Sequence, residues 1–295
     1  MDKTNRMHFV FSILLSFLIW GILAGWKFAL IAIPAILFHE YGHYYWMGRE
    51  GIKKRRMMMI PPLGAMAIAG EPWPSREAEA RIALAGPVFG FFQAVMVYGL
   101  WQLTRYPILE ATVSFICYIN MFNLITPIPI LDGGRVIKSI LFSINNKFGF
   151  AFYIFGFIFL LGAFLFVPTV MLLAVFIGYM LYADFNFYRS GPKMLAEARS
   201  LLEKLSNIEK QFHSEEVKAE LIDAAFTKAG LGSVSDKNQK TLEEGIKRLE
   251  LVASPLNMRP EAIVGYSLFF VGLNLAYLFL FSRLSSNFWK VLGMI

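Results

Sequence analysis

The chain has 295 residues, 57% of them hydrophobic and 16% aromatic against 17% charged, with a mean hydropathy of +0.53; so apolar a composition excludes an ordinary water-soluble domain and points to an integral membrane protein. The net charge of +7 does not indicate nucleic acid as a partner, because the Lys and Arg residues lie mainly between apolar runs, where they bias loops toward the cytoplasm. The single cysteine, Cys117, excludes an intrachain disulfide and reads as a small buried residue.

About seven runs are long and apolar enough to cross a membrane as helices. The first, His8 to Gly25, follows Lys3 and Arg6 and reads as an uncleaved signal anchor, since no small-x-small cleavage site follows it. Lys27 to Trp46 is the second and ends in FHEYGHYYW, residues 38–46. The others are Ala80 to Trp101, Ile108 to Ile125, Phe148 to Val167, Thr169 to Tyr188 and Ala262 to Phe281, with Pro168 dividing the fifth from the sixth. Two stretches break the helical pattern. MMMIPPLGAMAIAGEPWP, 57–74, has short apolar runs on either side of Pro61, Pro62 and Gly64 and predicts a hairpin of strands packed on the protein or dipping into a cavity. TPIPILDGGR, 126–135, ends the fourth span with two prolines and a glycine pair.

Residues 192–260 are polar, with helical patterns at 193–205, 207–229 and 240–252 broken by GLGSVSD. They read as a small cytoplasmic helical region or, more sharply, as a docking surface for substrate or partner. The tail SRLSSNFWKVLGMI is either an amphipathic interfacial segment or a frayed end. The expected organisation is therefore an all-α polytopic membrane protein with a short membrane-associated β-hairpin. Its parts are an N-terminal span (1–26), a core (27–145, hairpin 51–74), two further spans (146–190), the cytoplasmic helical region (191–260), and a last span with its tail (261–295). The basic cluster REGIKKRR, 49–56, directly follows the second span, which sets that end, the N-terminus and the end of the fourth span on the cytoplasmic side.

His39 and His43 stand four positions apart, so on a helix both imidazoles share a face and can reach one zinc ion. Glu40 beside them is left free to handle a water molecule, the division of labour in H-E-x-x-H metalloproteases. Ionisable groups within a span cost about 2.5–3.5 kcal/mol each and mark function, and zinc binding at roughly 10–16 kcal/mol outweighs that cost. A catalytic zinc needs a third protein ligand. His8, at the start of a span, and His213, beside Glu215 and Glu216, read as interfacial or solvated. Asp132 follows the broken fourth span and reaches the same membrane face as the two histidines, which makes it the third-ligand candidate. Glu50 and Asp184, near span ends, read as interface-solvated.

These residues resemble the site-2 protease family of intramembrane zinc metalloproteases. HEYGH (39–43) is similar to its H-E-x-x-H, IPPLGAMA (60–67) to its proline-glycine hairpin, AEARIALAGPVFG (78–90) to the opening of its middle core helix, and LDGG (131–134) to its L-D-G element. The resemblance covers 27–145 and implies a three-helix metalloprotease core at the membrane. It also implies one zinc per chain on His39, His43 and Asp132, catalysis by Glu40, and an active site near the cytoplasmic face of a multi-pass protein of the cell membrane. The implied substrates are single-span membrane proteins such as anti-sigma factors, tethered transcription factors or signal-peptide remnants. No PDZ or CBS module is evident.

The chain departs from the family at two places. Gly90 stands where many members carry Asn after the Gly-Pro, and the asparagine expected shortly before L-D-G falls at Leu124, with Asn123 adjacent and Asn120 a turn earlier. Asn120 and Asn123 are therefore both candidates to orient substrate, and Ile60 and Gly64 of the hairpin to bind it; the hairpin itself is either a strand edge for β-augmentation or a sealing flap. Two other readings compete. A membrane-embedded zinc peptidase of soluble or translocated peptides, resembling CAAX-processing proteases, calls for a glutamate ligand from a later helix. An inactive scaffold would be expected to have lost one of the four site groups.

Overall fold

The computed structural model describes residues 3–61, 64–164, 171–211, 244–247, 250–252 and 255–284. Two units divide it: the first gathers the chain up to Glu71, Arg76–Leu160 and Asn257 onward, and the second gathers Pro72–Ser75 and Leu161–Leu256.

The first unit is mostly helical and contains the hairpin. Helices α1 (Lys3–Ala24) and α2 (Trp26–Arg49) are joined at Gly25, whose φ of +89° only glycine adopts freely. Strands β1 (Arg55–Ile60) and β2 (Gly64–Ala69) pair antiparallel, from Arg55 opposite Ala69 to Ile60 opposite Gly64. The strands thus begin earlier and end earlier than the expected 57–74. Arg55 and Arg56 of the basic cluster belong to β1, with the Arg55 guanidinium donating to the Ile52 carbonyl (2.7 Å) and lying over the Tyr44 ring. Helix α3 (Arg76–Thr104) follows, then α4 (Pro107–Ile125), which opens on the proline that suits a first helical turn.

Pro127 and Pro129 stop α4, and the chain turns into a separate helix, α5 (Asp132–Ile144). Its buried positions Asp132, Val136 and Ser139 recur at helical spacing. The turn needs both glycines of LDGG: a β-carbon on Gly133 would collide with the Leu124 carbonyl, and one on Gly134 with that of Ile128. Helix α6 (Asn146–Phe164) lays Gly156 on Pro129, where a β-carbon would come within 2.6 Å of the proline ring.

The last described helix, α8 (Pro260–Ser282), docks on α3 and α4. Its Tyr277 hydroxyl donates to the Pro87 carbonyl at 2.7 Å, and its Tyr266 hydroxyl accepts from Arg81 at 3.2 Å. Arg81 also grips both oxygens of Glu50, at 2.7 and 2.9 Å, and pairs with Glu77 at 2.6 Å. Glu50 is therefore a structural partner joining the end of α2 to α3, which corrects its reading as merely interface-solvated. A carboxylate met bidentately by a guanidinium is held in place rather than hydrated.

In the second unit, α7 (Met171–Gln211) runs as one helix with Pro192 inside it. The expected domain boundary at 190/191 and the separate helix at 193–205 thus fall within a single continuous element. Arg199 pairs with Glu250 at 2.6 Å. The pattern expected at 207–229 lies largely outside the described residues, as do His213 and most of the tail; of the one expected at 240–252, residues 244–247 and 250–252 are described and helical.

Among the described residues, five helices are long and apolar enough to cross a membrane: Met7–Ala24, Arg76–Thr104, Pro107–Ile125, Asn146–Ala163 and Pro260–Ser282. Each falls on an expected span. The expected count of seven is not reached. α2 is a full-length helix whose polar motif dilutes its apolar run, and the expected span at 169–188 begins outside the described residues.

Candidate metal centre

The site is assembled by α2, α3, α4, α5 and β2. His39 and His43 lie on the buried face of α2, and Asp132 is the first residue of α5; they are 4%, 4% and 5% exposed. One Asp132 oxygen lies 3.0 Å from His39 Nε2 and the other 3.2 Å from His43 Nε2, while the two Nε2 atoms are 3.1 Å apart. These are the His, Cys, Asp or Glu side chains that converge as a possible metal-binding group among the described residues.

Hydrogen bonding decides which ring nitrogens are bare. His43 Nδ1 lies 2.7 Å from the Ile82 carbonyl, which can only accept, so Nδ1 carries the proton. Asn120 Nδ2 donates to the Ile116 carbonyl at 2.8 Å, which turns its Oδ1 toward His39 Nδ1 at 2.7 Å, so that nitrogen donates too. In the neutral imidazoles both Nε2 lone pairs then point at each other and at a carboxylate. Three buried acceptors converging with only the Asn123 amide at 3.5 Å and the Arg135 guanidinium at 4.0 Å beside them is an arrangement that a cation resolves. Two imidazole nitrogens and one carboxylate oxygen fit zinc, whose catalytic sites take three protein ligands and leave a fourth position open. Second partners on the non-ligating nitrogens are also the usual accompaniment of a metal-binding histidine.

Close packing makes room for this convergence. A β-carbon on Gly86 would strike both imidazoles, and one on Gly42 would come within 2.5 Å of the Ala85 carbonyl. Thus the glycine of Ala-Gly-Pro lets α3 pass directly beneath the rings.

Glu40 is half-buried, and its Oε2 accepts the Ala67 amide of β2 at 2.8 Å. Asn123 Nδ2 is 3.5 Å from His39 Nε2, at the rim of the acceptor cluster. The structure therefore brings His39, Glu40, His43, Asn120, Asn123 and Asp132 together. Ile60 and Gly64 do not join them: they pair with each other at the hairpin tip, and the hairpin residue that reaches the site is Ala67 in mid-strand. Sequence reasoning also missed the Ile82 carbonyl, a backbone group with no sequence signature. His8 is exposed on α1.

Behind Asp132 lies a second buried polar cluster. Glu79 of α3, 6% exposed, accepts from Lys138 Nζ at 2.6 Å and from Ser139 Oγ at 3.1 Å, both on α5. Arg135 stands between the clusters, 3.9 Å from Glu79 and 4.0 Å from Asp132.

The sequence pattern of peptidase family M50 matches residues 27–116. That segment, under a third of the chain, is similar to peptidase family M50. A zinc metalloprotease of Methanocaldococcus jannaschii is 29% identical over 144 residues. That match covers 47% of this chain and 39% of the relative, so the chain spans about two fifths of the relative's length. The M50 segment contains α2, the hairpin, α3 and the first half of α4, and thereby His39, Glu40 and His43; Asp132 lies beyond it. The match to this family's pattern and the five apolar helices together support a multi-pass membrane protein.

Proposed function

We propose that the chain is an intramembrane zinc metalloprotease that hydrolyses a peptide bond within or near the membrane-spanning segment of another protein. The observation that carries this reading is the convergence of bare His39 Nε2, His43 Nε2 and the Asp132 carboxylate with Glu40 next in sequence and left outside the cluster. The M50 match and the similarity to a zinc metalloprotease support it.

His39, His43 and Asp132 would hold one zinc ion, which supplies Lewis acidity toward a water molecule and toward the scissile carbonyl. Glu40 takes the proton of the attacking water and hands it to the leaving amine. Asn123, at the rim of the cluster, donates to the carbonyl oxygen as charge develops there. A helical substrate keeps its carbonyls in intrahelical bonds and must unwind to be cut. The outer edge of β2, where the Ala67 amide faces the site, offers an unwound segment backbone partners.

Substrates on this reading are single-span membrane proteins, such as anti-sigma factors, tethered transcription factors or signal-peptide remnants. The basic run 49–56 after α2 supports an active site near the cytoplasmic face of the cell membrane and a cytoplasmic N-terminus. Neither competing reading gains support: the convergent carboxylate is an aspartate from α5 rather than a glutamate from a later helix, and all four site groups are in place.

Co-expression with a panel of single-span membrane proteins tagged on the cytoplasmic side tests the reaction. Release of a tag by the wild type and not by Glu40→Gln, with zinc retained in that variant, is expected. Equal release by both would overturn the role of Glu40.

A further inference from the structure

We propose that Asn120 is a positioning residue that sets the ring orientation and tautomer of His39, and that Gly90 is the space it requires. The proposal rests on reading His39, His43 and Asp132 as zinc ligands, and it concerns how one of them is made ready.

The two histidines are oriented by different means. His43 donates to a backbone carbonyl, Ile82, inside α3, which no side-chain substitution removes. His39 donates to a side chain, Asn120 of α4, at 2.7 Å. Asn120 is 1% exposed, and its other amide end is committed to the Ile116 carbonyl at 2.8 Å. Because that carbonyl can only accept, the amide cannot flip without losing its bond to Ile116. Oδ1 therefore always faces the ring, Nδ1 keeps the proton, and Nε2 stays bare toward His43 and Asp132.

Gly90 completes the device from α3. A β-carbon there would stand 2.5 Å from both Asn120 Nδ2 and Oδ1, and an amide pinned at both ends has nowhere to go. Position 90 is where many members of the resembled family carry an asparagine. Here the amide filling that space comes from the neighbouring helix, so the departure at 90 and the asparagine at 120 are two halves of one arrangement. Asn123 is then left for the reacting side of the cluster, and the two asparagines do different work.

The test is zinc affinity of the full chain in detergent, measured by competition with a chelator, wild type first. Asn120→Leu should weaken binding about 10–100-fold. Asn120→Asp keeps an oxygen acceptor for Nδ1 but turns its other oxygen toward the Ile116 carbonyl, so it should recover part of the affinity lost in Asn120→Leu, a partial rescue that a packing role would not produce. Gly90→Ala should weaken binding as Asn120→Ala does. In the double variant the two losses should not multiply, because nothing remains for the new methyl to displace. Should Asn120→Leu fail to fold, Asn120→Asp and the Gly90 cycle still decide. Zinc held equally by all variants, Asn120→Asp as weak as Asn120→Ala, or losses that multiply would overturn the proposal while leaving the ligand reading intact. A wild type that binds no zinc would overturn the ligand reading itself, and this proposal with it.

Discussion

Two buried polar clusters lie side by side against α5, and they are built on opposite principles. Around Glu79, one carboxylate meets an ammonium at 2.6 Å, a hydroxyl at 3.1 Å and a guanidinium at 3.9 Å; every acceptor has a donor. Around Asp132, a carboxylate meets two imidazole nitrogens already turned into acceptors by Ile82 and Asn120. The first cluster is complete and holds α5 to α3. The second has only the Arg135 guanidinium, at 4.0 Å, for positive charge, and that deficit is what suits it to bind a cation. Burial of polar groups therefore does not by itself identify function; their mutual satisfaction separates a clamp from a ligand set.

The comparison can be broken most severely at the clamp. Glu79→Ala leaves Lys138 buried against α3 without its carboxylate and should cost about 3–5 kcal/mol of stability, read as a lowered midpoint of thermal or denaturant unfolding in detergent. Adding Lys138→Met should restore most of the loss, since a pair replaced by apolar groups is often neutral. A double variant as unstable as the single one would show that Glu79 is not held by this pair. The ligand set should respond in the other currency. Gly86→Ala brings a methyl against both imidazoles and should weaken zinc binding by about 1–3 kcal/mol in chelator competition, with a smaller change in the unfolding midpoint of the metal-free protein.

A gentler test sharpens the role of the hairpin. Met59 of β1 donates its amide to Ser12 Oγ on α1 at 3.1 Å, while Ala67 of β2 donates to Glu40. One outward amide of each strand is engaged, one by the N-terminal helix and one by Glu40. Ser12→Ala should cost about 0.5–1.5 kcal/mol and speed hydrogen exchange at Met59 while leaving zinc affinity unchanged. Unchanged exchange would mean that α1 does not anchor the strand.

How much of this was legible in the sequence follows from the range of the forces involved. The i, i+4 histidines, the proline break before Asp132 and the five apolar helices are local patterns, and local patterns survive in one dimension. The apolar pattern of the hairpin was also legible, but its bounds shifted because Arg55 is held by Ile52 and both Arg55 and Arg56 are paired into the ladder, a tertiary matter. The separation of α5 as its own helix was half visible in the prolines. Glu50 was misread because its partner Arg81 stands far along the chain. Glu79 sat unremarked in an alanine-rich helix start, since a glutamate there usually faces water. The continuity of α7 through Pro192 ran against the usual reading of proline as a boundary. Gly90 was the one departure that pointed to a long-range contact, and only the placement of Asn120 opposite it gave that departure a reason.

The account turns on whether Asp132, from a helix outside the M50 match, completes a metal site with the two histidines of α2. The direct measurement is the zinc content of the detergent-purified chain, wild type beside Asp132→Ala. About one zinc per chain in the wild type and almost none in the variant is the predicted result. Zinc retained without Asp132 would contradict the account, and so would a wild type that binds none when zinc is supplied.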